Sequence, residues 1–182
     1  MPDARLAMAG PLYALGERRP RVAADAFVAP TAAVIGDVEI GPQSGVWFAC
    51  VLRADTSDIR VGARTNIQDG TIVHVNHGMP THIGDDVTIG HAAIIHACTL
   101  MDRAFVGMGA TVLDNAVIEE GGVLAAGALL TPGKRIGRFE LWQGSPARLA
   151  RVMSPEERAR FDTNAVQYLE RAAEFRAMLR GA

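Results

Sequence analysis

A six-residue period of aliphatic residues runs through most of the chain and restricts its fold more than any other feature. Of the 18 steps between successive members, 15 are six residues long, and the others are nine, ten and five. The members are Val28, Val34, Ile40, Val46, Leu52, Val61, Ile67, Val73, Ile83, Ile89, Ile95, Leu100, Val106, Val112, Ile118, Leu124, Leu130, Ile136 and finally Trp142. This period does not fit an amphipathic helix, and it is typical of parallel β-solenoids.

Each hexad supplies one short strand and a turn, and three hexads close one triangular coil. The 19 hexads therefore predict about six stacked coils. The residue four places after the aliphatic is often small, as at Ala32, Ser44 and Ala93, and glycine frequently follows the aliphatic directly. We predict an all-β solenoid over residues 1–147, including a lead-in over residues 1–21. The pattern alone does not give its handedness.

Composition agrees with a narrow prism and excludes several classes of partner. Aromatic residues make up only 5% of the chain beside 19 glycines, as expected where layers of small side chains fill the interior. With 18 basic against 20 acidic residues, we expect neither a nucleic-acid nor a membrane partner. Two cysteines outside any CxxC motif, and no signal-peptide pattern, favour the reducing cytoplasm.

A helix is predicted at the C-terminal end, within residues 148–182. Leu141–Arg148 reads as a loop because it contains Gly and Pro. Ser154, Pro155 and Glu157 then form an N-cap, a first-turn proline and a capping-box glutamate. The helix should run to about Leu179 and pack one face on the solenoid. That face comprises Phe161, Ala165, Tyr168, Leu169, Ala172, Phe175 and Leu179.

Histidines fall at related positions of the repeat. His74 and His96 each directly follow an aliphatic member, three steps apart, so they stack on one face with Arg53 in the same column below. His91 is the third residue of its hexad, on the neighbouring face, and stacks over Asp69 and Gln68.

Side chains on adjacent faces of a triangular prism diverge by about 120°, so His91 does not meet the other two histidines within one chain. A threefold ring of subunits brings such faces together, and the register thus predicts a homotrimer. Three imidazoles with a free fourth position are typical of catalytic zinc, although iron, cobalt or nickel also accept imidazole. His77 and His82 fall in the ten-residue step and are predicted to be loop residues.

Four segments carry a family resemblance: Leu52–Asp55, Asn66–Gly70, Val73–Val75 and Ile89–Cys98 closely resemble gamma-class carbonic anhydrases and their shorter bacterial relatives. The resemblance implies a left-handed β-helix and reversible hydration of carbon dioxide to bicarbonate by a metal-bound hydroxide at trimer interfaces. It implies zinc, with iron or cobalt as alternatives. The implied ligands are His74, His96 and, from the adjacent subunit, His91. Implied further site residues are Arg53, Asp55, Gln68, Asp69, Asn164 and Tyr168.

The chain departs from the archaeal prototype of that family at its proton-shuttle glutamates. Thr56 stands where the prototype has a glutamate, and the ten-residue step holds His77 and His82 but no carboxylate. One hypothesis is that either histidine carries the proton instead, since imidazole exchanges protons near neutral pH. Other functions compatible with this repeat are an acyltransferase that uses acyl-CoA, a non-catalytic metal-binding trimer and a thioesterase.

Overall fold

The computed structural model describes residues 12–179 as a parallel β-solenoid followed by one helix. The predicted fold, a left-handed β-helix of hexapeptide repeats, is confirmed. The first part of the predicted lead-in, residues 1–11, and the end of the predicted helical segment, residues 180–182, lie outside the described residues.

The strands form three faces of a prism, and each strand pairs in parallel with the one a full turn away. The first face contains Phe27–Val28, Gly45–Val46, Asn66–Ile67, Thr88–Ile89, Phe105–Val106, Val123–Leu124 and Glu140–Gly144. The second face contains Leu12–Tyr13, Ile72–His74, Ile94–His96, Thr111–Val112 and Leu129–Leu130. The third face contains Arg21–Val22, Thr81–Ile83, Thr99–Leu100, Val117–Ile118 and Arg135–Ile136. Two longer strands, Ala33–Ile40 and Val51–Val61, cross a corner and belong to both the second and third faces.

The solenoid has about seven turns, one more than the repeat count predicts. The first face holds seven parallel strands because the first and last hexads both fall on it, at Phe27–Val28 and Glu140–Gly144. Dividing the hexads by three therefore underestimates the number of coils.

The interior is built as the period predicts. Every aliphatic member from Val28 to Ile136 is at most 4% exposed, and Trp142 packs against the top of this core. Aromatic rings lie outside the prism instead. Phe27, Trp47, Phe48 and Phe175 contact one another edge to face between the first face and the helix, with ring centroids 5.1 to 6.4 Å apart.

Close stacking of coils explains the glycine that follows many aliphatic residues. A Cβ on Gly41 would lie 2.6 Å from the carbonyl carbon of Gly62, and a Cβ on Gly62 would lie 2.6 Å from that of Gly84. A second corner position, three residues after the aliphatic, takes left-handed backbone angles, as at Ala49 (φ 57°) and Ala92 (φ 56°). Glycine takes this position at Gly70, Gly109, Gly121, Gly127 and Gly133, but alanine, arginine and asparagine occupy it as well, so the sequence pattern did not reveal it.

The predicted loop over residues 141–148 is wrong. Glu140–Gly144 and Ala147–Val152 form an antiparallel hairpin that extends the first face. Gly144, Ser145 and Pro146 do lie at a turn, but this turn is the tight connection between two strands and not a long irregular segment.

The C-terminal helix spans Pro155–Met178, and the prediction of its start is confirmed because the Ser154 hydroxyl accepts a hydrogen bond from the Glu157 backbone. Ala165 and Ala172 are buried against the solenoid. Arg158, on the same helix, is also buried and donates to the Arg103 carbonyl. No helix in the part of the chain that the structure describes is long and apolar enough to cross a membrane.

The glycines that follow the aliphatic residues stack in a column, as at Gly41, Gly62 and Gly84, and this column gives a prediction about stability. Gly62→Ala places a methyl group against the Gly84 backbone, so it should destabilise the fold by about 2–3 kcal/mol, as overpacking does. Gly127→Ala is the matched control, since its added Cβ meets nothing within 4 Å and its left-handed corner (φ 66°) is one that Ala49 and Ala92 also adopt. It should cost about 1 kcal/mol. Urea unfolding followed by circular dichroism measures both, and equal losses would contradict this account of the column.

Candidate metal centre

His74 and His96 meet at the corner between the second and third faces. They are register partners on adjacent strands, and Arg53 pairs with His74 on the strand below, as the register predicts. The Nδ1 atom of His74 lies 3.1 Å from the Nε2 atom of His96, and both rings are partly buried.

A carboxylate holds the other nitrogen of each ring. The Nε2–H of His74 donates to Asp55 at 3.0 Å, and the Nδ1–H of His96 donates to Asp114. Burial acts to raise the pKa of Asp55, but the hydrogen bond from His74 and the charge of Arg53 outweigh it, so the pKa is lowered. The pKa of Asp114 is lowered by a hydrogen bond from Asn76 and by the one from His96. Both carboxylates are therefore ionised at neutral pH.

Sequence reasoning missed Asp114. The signal was present, because Asp114 lies two residues after Val112, and Val112 pairs with Ile95 next to His96. We call Arg53, Asp55, His74, His96 and Asp114 the paired-histidine half-site.

His91 lies in the turn that joins the first face to the second, above Asp69. Its Nδ1 atom lies 2.9 Å from an oxygen of the Asp69 carboxylate, and its Nε2 accepts a hydrogen bond from the Tyr168 hydroxyl at 3.3 Å. The Phe48 backbone N–H donates to the second oxygen of Asp69. Burial and the charge of Asp69 raise the pKa of Tyr168, so its hydroxyl stays protonated and can donate.

Gln68 and Asn164 complete this second group beside a cavity of about 380 Å³. Gln68 is 4% exposed, and its Nε2 donates to Asn66 at 3.0 Å and to Asn164 at 3.3 Å. Because both hydrogens are used, the Gln68 oxygen is the atom left to accept a hydrogen bond. We call Gln68, Asp69, His91, Asn164 and Tyr168 the His91 half-site.

The two half-sites lie at opposite edges of the second face and do not meet within one chain. Among residues 12–179, no group of three or more His, Cys, Asp or Glu side chains is close enough to hold a metal ion. The structure thus brings together His74 with His96, and His91 with Tyr168, but it does not bring all three histidines together.

The donor set fits a metal ion that prefers imidazole. With both ring N–H groups committed to carboxylates, His74 Nδ1 and His96 Nε2 turn two lone pairs toward each other across 3.1 Å, which is repulsive unless a shared proton or a metal ion lies between them. Tetrahedral zinc with Zn–N bonds of 2.0–2.1 Å separates neighbouring nitrogens by about 3.3 Å, close to this distance. A carboxylate on the far nitrogen of each imidazole is also the usual support for metal-bound histidine.

His77 and His82 are separated by the structure. His77 sits in the exposed turn between Asn76 and Met79. The prediction that His82 is a loop residue is wrong, since it lies in the strand Thr81–Ile83 on the third face and donates to Asp58 at 2.9 Å. The ten-residue step thus contains a four-residue turn and then returns to a regular strand.

Comparison with known proteins identifies relatives along most of the chain, although no family model matches it. Gamma carbonic anhydrase 2, mitochondrial, of Arabidopsis thaliana is 48% identical over 162 residues, which are 86% of this chain and 58% of that protein. A carbonic anhydrase of Geobacillus kaustophilus is 35% identical over 167 residues and 92% of both chains. The crystal structure of a hexapeptide transferase family protein from Anaplasma phagocytophilum is 47% identical with a TM-score of 0.87, over 91% of this chain and 98% of that one. The chain thus spans over half the length of the plant relative and most of the bacterial one.

Proposed function

Because this chain belongs to the gamma carbonic anhydrase family, we propose that it catalyses the reversible hydration of carbon dioxide to bicarbonate at a metal centre shared between subunits. The observation that carries the proposal is the pair of half-sites at opposite edges of the second face. The paired-histidine half-site holds two imidazoles and the His91 half-site holds one, each beside a carboxylate, and neither holds three ligands.

A homotrimer would bring the two opposite edges of the second face, from neighbouring subunits, into contact. In a closed ring of three copies, each subunit presents one edge of the second face to the opposite edge of its neighbour, so three equivalent sites form. Each site would take His74 and His96 from one subunit and His91 from the next. Arg53, Asp55 and Asp69 then lie at the boundary, where an arginine–carboxylate pair also orients the subunits.

The exposed side chains of the second and third faces support the proposal that the second face is buried between subunits. Ile72 and Ile94 point outward beside the paired histidines and are 39% and 43% exposed. The third face instead carries Arg60 in an ion pair with Asp37, and His82 in a hydrogen bond to Asp58. Exposed aliphatic side chains in adjacent coils mark a contact surface, and a second copy of the chain is the occupant that also completes the site.

Zinc is the metal we propose, with iron or cobalt as alternatives that the same imidazoles accept. When bound, such an ion supplies hydroxide at neutral pH by lowering the pKa of water to about 7, and carbonic anhydrases are the standard example of this chemistry. Asp55 and Asp114 hold the imidazoles of His74 and His96 in the tautomers that leave a lone pair for the metal. Asp69, 2.9 Å from His91 Nδ1, favours the same tautomer there, and the Tyr168 hydroxyl would release Nε2 when a metal binds. The free oxygen of Gln68 orients the attacking group, and the Tyr168 hydroxyl and Asn164 line the space where carbon dioxide approaches.

The reaction also needs a group that passes a proton to solvent. The turn that carries His77 is hydrogen-bonded through Asn76 to Asp114, the partner of His96, whereas His82 is held by Asp58 on another face. His77 is therefore the better placed of the two histidines to accept the proton and release it to buffer.

We place the protein in the cytoplasm. Cys50 and Cys98 are both buried free thiols, and burial raises the pKa of each to about 12, so neither forms a reactive thiolate. Unpaired thiols of this kind fit a reducing compartment.

Metal content tests the ligand assignment. His74→Ala, His91→Ala and His96→Ala should each lose most of the bound metal and the hydration activity, while the native mass stays that of a trimer. Anaerobic purification, elemental analysis and stopped-flow carbon dioxide hydration measure this. A His91→Ala protein that keeps full metal would refute the shared centre, and a metal-free wild type that is saturated by acetyl-CoA would favour the acyltransferase.

Buffer dependence tests the proton path. His77→Ala should slow hydration several-fold at low buffer concentration, and added imidazole should restore the rate, because a small base replaces the missing side chain. His82→Ala is the matched control and should leave the rate unchanged. Identical rates for His77→Ala and wild type at every buffer concentration would contradict this path.

A further inference from the structure

The longest interruption of the repeat, the ten-residue step from Val73 to Ile83, links the coil that carries His74 to Asp114, two coils above. Asn76 and Met79 exchange two backbone hydrogen bonds, of 3.1 and 2.9 Å, and so close a tight turn. Where the chain returns, the Thr81 hydroxyl donates to the His74 carbonyl at 2.6 Å. The turn is thus fixed at its base directly beside the paired-histidine half-site.

The side-chain amide of Asn76 has a determined orientation. Its oxygen accepts the backbone N–H of His77 at 2.8 Å, so its nitrogen is the atom that faces Asp114, to which it donates at 2.9 Å. The other oxygen of Asp114 accepts the Nδ1–H of His96. Since an ionised carboxylate only accepts, this chain of bonds leaves the lone pair of His96 on Nε2, the atom that faces His74.

We infer that Asn76 is a positioning residue: the turn over residues 76–79 anchors Asp114 and thereby fixes the tautomer and ring orientation of His96. The consequence for metal binding rests on the proposed function, but the chain of hydrogen bonds does not.

The other two carboxylates of the half-sites are anchored differently. Asp55 is held by Arg53 on its own strand, and Asp69 is held by the backbone of Phe48 in the coil below. Phe48 belongs to a regular six-residue step, and Arg53 lies in the nine-residue step from Leu52 to Val61, where it stays in register with His74. The anchor of Asp114 instead comes from the turn over residues 76–79, which lies within the ten-residue step.

The test compares Asn76→Ala with Asp114→Ala and with Met79→Leu in the full-length protein. Met79→Leu is the matched control, since it keeps both backbone bonds of the turn and the Asn76 amide and removes only the 3.6 Å contact of the Met79 sulfur with the Asn115 amide. The first readout is histidine nitrogen NMR of metal-free protein, which reports the tautomer of His96. The second is zinc affinity, measured by competition with a chelating dye, together with the absorption spectrum of the cobalt(II) form.

Asp114→Ala should weaken zinc binding about 10–100-fold, the range for loss of a direct partner of a metal-bound histidine, and Asn76→Ala, one bond further away, about 3–10-fold. In both variants the Nδ1–H signal of His96 should weaken and the cobalt spectrum should shift. Met79→Leu should match wild type in every readout. Equal thermal midpoints among the variants confirm that the changes are local.

The inference is overturned if Asn76→Ala matches Met79→Leu in tautomer and in affinity. One further outcome distinguishes failure of the proposed function from failure of this inference. If the wild type binds no zinc, yet Asn76→Ala still shifts the His96 tautomer, the metal centre is refuted and the positioning role of Asn76 stands.

Discussion

The stacking of one aliphatic side chain per hexad, coil upon coil, is the constraint on which the rest of the structure depends. Because the coils pair in parallel about 4.8 Å apart, every inward residue has a partner directly above and below it. The outward-facing residues follow the same register, although they are not part of the core. His96 lies over His74 for this reason, and His91 lies over Asp69. The core therefore sets the spacing of the candidate ligands.

This constraint also explains what could be predicted from the sequence. The period gave the solenoid, the column of Arg53, His74 and His96, and the separate position of His91. Prediction from the period failed in the segments that depart from the six-residue spacing. Asn76 and the return of His82 to a strand lie in the ten-residue step, and the terminal hairpin follows the last hexad. Such contacts depend on how a turn folds back in space, which a one-dimensional register does not contain.

The C-terminal helix supplies what the prism cannot. A narrow prism has no room for rings, so aromatic residues such as Trp47 and Phe175 lie between the first face and the helix, where Tyr168 reaches His91. The buried Arg158, bonded to the Arg103 carbonyl and paired with Asp162 at 3.0 Å, fixes the first turns of the helix on the solenoid. Asn164 and Tyr168 are thereby held beside Gln68 and His91. The solenoid provides the ligands, and the helix provides the polar groups that line the approach to them.

The central claim is that one site is built from two subunits, and mixed trimers test it most directly. His91→Ala and the double variant His74→Ala with His96→Ala should each be inactive alone. Co-expressed in equal amounts, they should recover about a quarter of the wild-type metal content and hydration rate, because one in four interfaces joins an intact histidine pair to an intact His91. Mixed trimers that form, as judged by native mass, but recover neither metal nor activity would contradict the claim.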